Sequence, residues 1–358
     1  PDDLKAMPPH SYPGKLTAFL YERFIRHPEK PLVILPTELI VDNGPVLREL
    51  VLRHATEHQL GDAFMTWVQS KNHFGSTLVD RIVTGRPSDE KFDALSQELG
   101  YRDELLTVSE VYYLWAIEGP ASLIDKLGFA QHDAGVVIAE DISPYRERKL
   151  RILNGSHSYL VGLAHLCGLR TVEDCMNDPD IEAFVSRVIY DEIVPSLPPG
   201  IGEGKAFGEA VLDRYRNPYL HHKVLDITLQ YSSKMRMRNV PSIERLCAKG
   251  ETPELMALGF AAFLCFLRPV KEEGGTYYGD WQGQPYAIRD DQAAAWMARW
   301  ASYEPSQSDA WVHEVLADTD LWGQDLTQLS DFAERVSAYL RQIQVEGPRA
   351  ALQAALAH

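Results

Sequence analysis

Three residues in "SPYRERKLRILNGSHSYLVGLAHL" could do proton chemistry together: Lys149, Asn154 and His157. The apolar residues from Leu150 to Leu166 recur at helical spacing. On a helix turning by about 100° per residue, Lys149 and His157 fall within the apolar stripe and Asn154 lies about 140° from Lys149, at its edge. A lysine among leucines is costly when charged, and the flanking Arg146, Arg148 and Arg151 press in the same direction. Such a lysine can give and take a proton near neutral pH. An asparagine beside it offers an N–H to an oxygen that gains charge, and His157 adds a second donor or acceptor.

A second group surrounds "PTELIVDNGPVLRELV". A strand-length apolar run is followed by Asp42, Asn43, Gly44 and a helix pattern, which places Glu38 and Asn43 where an open α/β sheet takes ligands. Asn-Gly also serves simple turns. "STLVDRI" sets Asp80 and Arg81 between apolar residues, a pattern typical of structural pairs. "QYSSKMRMR" gathers Lys234, Arg236 and Arg238, either as a solvated basic face or as a clamp for a carboxylate.

These residues need two kinds of scaffold. Up to about residue 143, strand patterns ("PLVILPTELI", "HFGSTLVDRIV", "YYLWAIEG", "AGVVIAED") alternate with helix patterns (14–27, 44–58), which implies a parallel sheet covered by helices. From residue 144 the periodicity is almost wholly helical, including one helix over "LHHKVLDITLQYSSKM". The exception is 274–291, whose aromatics around Gly279 and Gly283 suggest a hairpin. The expected architecture is therefore α/β followed by all-α: a partial Rossmann-like domain over 1–143 and a helical substrate domain over 144–358.

Composition narrows the class. The 358 residues carry 51 acidic against 35 basic side chains, a net charge of −16, which argues against nucleic acid or an anionic membrane as partner. Four cysteines without a C-x-x-C pair suggest buried thiols in a reducing cytoplasm. The apolar run "LGFAAFLCFL" has the length of a core helix, not of a membrane span. H-E-x-x-H spacing and a G-x-S-x-G elbow are absent, so no metal site is expected and hydrolase readings are disfavoured. "PPGIGEGKAFGEA" follows prolines instead of a strand and reads as a connection before a helix.

In order along the chain, "LIVDNG", "STLVDRI", "LWAIEG", "YRERKLRILNGSHS", "RNPYLHH" and "SSKMR" resemble the mannitol dehydrogenase family of long-chain polyol dehydrogenases, over roughly residues 25–240. The resemblance implies a zinc-independent, NAD-dependent oxidoreductase with Lys149 as acid/base. It implies that Asn43 and Asn154 hold the reacting oxygen, that His157 positions substrate hydroxyls, and that Asp80 and Lys234 line the substrate pocket. Glu38 is the acidic match before the turn, and Arg236 is a further carboxylate candidate. Within the family the likeness is to the branch acting on keto-uronates and their sugar acids. Fructuronate reduction, mannitol oxidation and a non-catalytic binding fragment are the alternatives. The family's glycine-rich dinucleotide turn is expected upstream of residue 1, so no cofactor residue is named. Nothing in the sequence sets an oligomeric state.

Overall fold

The computed structural model describes residues 3–357. Contacts divide them into two units. The first runs to Ile82 and resumes over Val111–Arg146; the second takes Val83–Glu110 and continues from Glu147. Val83–Glu110 lies within the stretch assigned above to the sheet domain, yet it folds with the helices. A buried ion pair secures it: Arg214 donates from Nη2 and Nε to the two carboxylate oxygens of Glu110, at 2.8 and 3.0 Å. Both side chains are almost fully enclosed, and charges so enclosed need each other.

In the first unit, the helix Tyr12–Arg26 is capped by Ser11, which accepts from Gly14 N, with a proline in the opening turn. It buries Leu20 with Val51 and Phe64 of the helices Asn43–Glu57 and Asp62–Lys71. The strand expected over 31–40 shrinks to Val33–Ile34, paired in parallel with His73–Phe74. Pro36 has no N–H to continue the ladder, and its carbonyl is taken by Asn43 Nδ2 and Thr77 Oγ1 instead. Leu114–Glu118 pairs in parallel with Val136–Ala139 and antiparallel with Thr77–Asp80.

The second unit is built on two helices whose residues are nearly all buried, Ser156–Leu166 and Glu254–Phe266. The latter holds the "LGFAAFLCFL" run. "PPGIGEG" leads into the helix Gly204–Tyr215. Residues 269–288 form a three-stranded antiparallel sheet, Pro269–Glu273, Thr276–Trp281 and Gln284–Ile288. Gly279 is required there, because a Cβ would come within 2.4 Å of the Tyr286 ring.

The single helix expected over 220–235 is broken. Val224–Ile227 ends, Gln230 turns left-handed at φ 54°, and Tyr231–Arg238 begins. Gln230 is fixed from outside, its N–H donating to Arg289 O at 2.8 Å and its Nε2 to Asp291 at 2.7 Å. No helix among the described residues is long and apolar enough to cross a membrane.

Candidate active site

The segment carrying Lys149 and Asn154 is not α-helical. Ser143–Arg148 is a short α-helix, Lys149–Gly155 is a π-helix, and Ser156–Leu166 returns to α. The uniform turn angle assumed from the sequence is therefore wrong for these seven residues. A π-helix closes i→i+5 hydrogen bonds, so residue i+5 falls nearer the face of residue i than it does in an α-helix. Lys149 and Asn154 are five apart. The edge position read for Asn154 becomes a position on the lysine's face. Both are half-buried, and Arg151, Ile152 and Leu153 between them are buried. π-Turns within α-helices are frequent at functional sites.

His157 follows on the buried helix. Its ring packs against Tyr215, centroids 4.1 Å apart, and edge-on to His222 at 5.4 Å. Its Nε2 is buried without a hydrogen-bond partner. Burial holds the imidazole neutral, well below its usual range, and the positive groups His222, Arg238, Arg214 and Lys234 push further in that direction. A buried, neutral ring with an unused nitrogen can bond a hydroxyl. His222 lies 65 positions from His157, and only the fold brings the two rings together.

On Tyr231–Arg238, positions 234 and 238 share a face and 236 lies across the helix. Lys234 is half-buried, Nζ donates to Ile227 O at 2.8 Å, and burial with Arg238 and Arg289 nearby lowers its ammonium to about 8. Arg238 donates from Nη1 to Asn154 O and Ser158 Oγ, each at 3.3 Å, and burial pulls it down to about 10. Arg236 is exposed and bonds Asp320 O at 3.1 Å. The structure thus brings Lys234 into the His157 cluster, leaves Arg236 outside it, and adds Arg238. The i,i+4 spacing was the available signal for that exchange.

The other named residues lie on the sheet unit. Asn43 is buried, and its Nδ2 faces the carbonyls of Pro36 at 3.0, Glu38 at 3.1 and Thr77 at 3.3 Å, while Oδ1 accepts Thr77 N at 2.9 Å. It ties the 36–42 loop to the strand Thr77–Asp80. Gly44 completes the motif, since a Cβ there would lie 2.6 Å from the Gly75 backbone. Asp80 is buried at the end of that strand, and Glu38 is exposed, its carbonyl serving Asn43 and Ile40 N.

Comparison with known proteins places these arrangements. Residues 7–130 match the model of the mannitol dehydrogenase Rossmann domain, and residues 141–344 match that of the mannitol dehydrogenase C-terminal domain. The chain belongs to the mannitol dehydrogenase family. Curated relatives include an altronate oxidoreductase of Yersinia pestis, 42% identical over 363 residues, covering 99% of this chain and 72% of the relative. Another, from Klebsiella pneumoniae, is 43% identical over 356 residues, covering 97% and 71%. Among solved structures, the ternary complex of Pseudomonas fluorescens mannitol 2-dehydrogenase with NAD and D-mannitol superposes with a TM-score of 0.75 at 26% identity, covering 99% of this chain and 68% of that one. A substrate-free D-sorbitol dehydrogenase shares the fold, with a TM-score of 0.73 at 21% identity, covering 98% and 68%.

The sheet unit fits part of a dinucleotide. A cavity of about 350 Å³ is lined by His73, Phe74, Glu118, Gly119, Pro120 and Glu140. These residues stand at the carboxyl ends of His73–Phe74, Leu114–Glu118 and Val136–Ala139, where open α/β sheets receive ligands. Two carboxylates suit ribose hydroxyls as acceptors and repel a pyrophosphate.

Proposed function

We propose that this family member interconverts a keto-uronate and its sugar acid, tagaturonate and altronate, in an NAD(H)-linked reaction with Lys149 as acid/base. The observation that carries the substrate class is the pair Lys234 and Arg238. Both are cations withdrawn from water, and the hydrogen bonds of both go to neutral oxygens: Ile227 O for one, Asn154 O and Ser158 Oγ for the other. In a protein of net charge −16, withdrawn cations without a bonded carboxylate are costly, and an anionic substrate repays that cost. A neutral polyol does not. The altronate oxidoreductase relatives support the same choice.

Glu118 and Glu140 would hold the ribose hydroxyls of a nicotinamide dinucleotide, which would supply or accept the hydride. In reduction, the ketone's C=O bond opens as its carbon gains a hydride, and the electron pair moves to oxygen. The Asn154 amide donates to that oxygen as charge develops. The Lys149 ammonium passes it a proton, leaving an alcohol and a neutral amine that recovers its proton from solvent. His157 Nε2 accepts from a substrate hydroxyl. Lys234 holds the carboxylate; Arg236, bonded to Asp320 O, takes no part. By the family motif, Asn43 belongs to the reacting oxygen and Asp80 to the pocket. Glu38 contributes backbone only.

The test is the ratio of kcat/KM for tagaturonate to that for fructose, with NADH, in wild type and in Lys234→Met. The wild type should favour tagaturonate. The variant should lose roughly 2–5 kcal/mol of that preference, the usual cost of unpairing a desolvated charge. A wild-type preference for fructose transfers the chain to the mannitol-type reading. An unchanged ratio removes Lys234 from the carboxylate.

A further inference from the structure

The π-segment is held from outside. Three successive carbonyls at its end each receive a side-chain donor from elsewhere in the unit. Tyr215 Oη reaches Leu153 O at 2.8 Å, Arg238 Nη1 reaches Asn154 O at 3.3 Å, and Asn239 Nδ2 reaches Gly155 O at 3.3 Å. Ser156 Oγ bonds Ile152 O at 2.5 Å and meets the same tyrosine hydroxyl at 2.8 Å. Bonds also run the other way. Arg151, within the π-segment, donates to the carbonyls of Met237 at 2.6 Å and Arg238 at 2.9 Å, which close the helix Tyr231–Arg238. Tyr215, Asn239 and Arg151 are buried.

This arrangement answers a physical problem. Leucine, arginine and lysine, four of the seven residues here, form α-helix readily and isoleucine, asparagine and glycine less so, whereas a π-helix of any composition is rare and short. A seven-residue π-segment of such composition needs an external reason to persist. Where i→i+5 bonding gives way to i→i+4, carbonyls with two lone pairs have acceptor capacity to offer. A phenol, a guanidinium and a carboxamide, all in the interior, take that capacity at consecutive positions.

We propose that Tyr215, Arg238 and Asn239, with Arg151 answering from the segment itself, are positioning residues of the reaction. They form a two-way clasp that fixes Lys149–Gly155 in π register, keeps Asn154 on the lysine's face, and joins that segment to the helix bearing Lys234. The catalytic consequence rests on the reading of Lys149 as acid/base; the register does not. Relaxation to α would carry Asn154 to about 140° from Lys149.

Exchange is measured on the chain as it stands and on two variants, and turnover on the same variants in a protein that also carries the family's glycine-rich turn. Asn239→Ala removes one donor. Tyr215→Phe removes another while keeping the ring against His157, and it serves if the first fails to fold. Amide hydrogen exchange over 153–159 should quicken by ~10-fold or more, with residues 254–266 unchanged. In NADH-linked tagaturonate reduction, kcat should fall by roughly 10–100-fold, as misplacement of a reacting group does, while KM stays within about 3-fold. Unchanged exchange over 153–159 overturns the clasp. Faster exchange with wild-type kcat, where Lys149→Ala is inactive, overturns its role in positioning. Wild-type turnover in Lys149→Ala instead removes the lysine reading and leaves the exchange result to decide the register.

Discussion

Among the described residues, the helical unit contains two π-segments, and they do different work. Lys149–Gly155 keeps its polar residues Lys149 and Asn154 half-buried, and its backbone is gripped by side chains from other helices. Val188–Ile193 works in reverse. Its Glu192 is buried and reaches out to another backbone, accepting from Leu255 N and Met256 N, both at 2.7 Å. Those are the first-turn amides of Glu254–Phe266, a helix whose N-cap position is Pro253, without a side-chain acceptor. Glu192 is therefore a cap supplied from a distance, favoured by the helix dipole. The same local irregularity leaves two polar side chains half-buried in one place and finishes a core helix in the other. What separates them is the direction of the bonds: in one the backbone receives donors from other side chains, in the other a side chain receives donors from another backbone.

That contrast can be broken by mutation. Glu192→Ala strips two buried amides of their acceptor and should destabilise the fold by about 1–3 kcal/mol, read by chemical denaturation, with turnover per folded molecule unchanged. A loss of turnover without a loss of stability would make the two segments alike. The smaller effect is in pH dependence, where the two regions should differ in sign. Burial raises the Glu192 carboxyl to about 7 despite its two amide bonds. The folded state then holds more protons than the unfolded one between about 4.5 and 7, so this group's stability contribution is lost as pH rises through that window. Near the first segment, burial pushes His157 down and Lys234 to about 8. There the unfolded chain binds more protons, below about 6.5 for the histidine and between about 8 and 10.5 for the lysine, so stability rises with pH. Denaturation of wild type, Glu192→Ala and Lys234→Met across pH 5–10 reads each component. The contrast fails if removing Glu192 leaves the acid-side slope unaltered.

Much of this was legible in the residues. A helix does open at the DNG run, and the chain after residue 143 is mostly helical, as the residue patterns indicate. The rest depended on distant partners. Over seven residues an apolar pattern does not separate π from α register; Tyr215, Arg238 and Asn239, 60 to 90 positions away, do. The helix phase that admits Arg238 and excludes Arg236 is set by Gln230, itself fixed by Arg289 and Asp291. The allegiance of Val83–Glu110 rests on a pair 104 residues apart. Asn43 looked like a ligand residue by type, and the fold adds the four bonds through which it also holds a loop.

On the reading proposed above, the π-segment carries the proton donor. Lys149→Ala and Lys149→Arg, assayed for NADH-linked reduction at saturating tagaturonate, test it most directly. Both should turn over roughly 10²–10⁴-fold more slowly than wild type, the usual worth of general acid–base catalysis, because alanine has no proton to give and a guanidinium does not release one. Substrate should still bind, as read by calorimetry. Wild-type turnover in a folded Lys149→Ala protein would contradict the account.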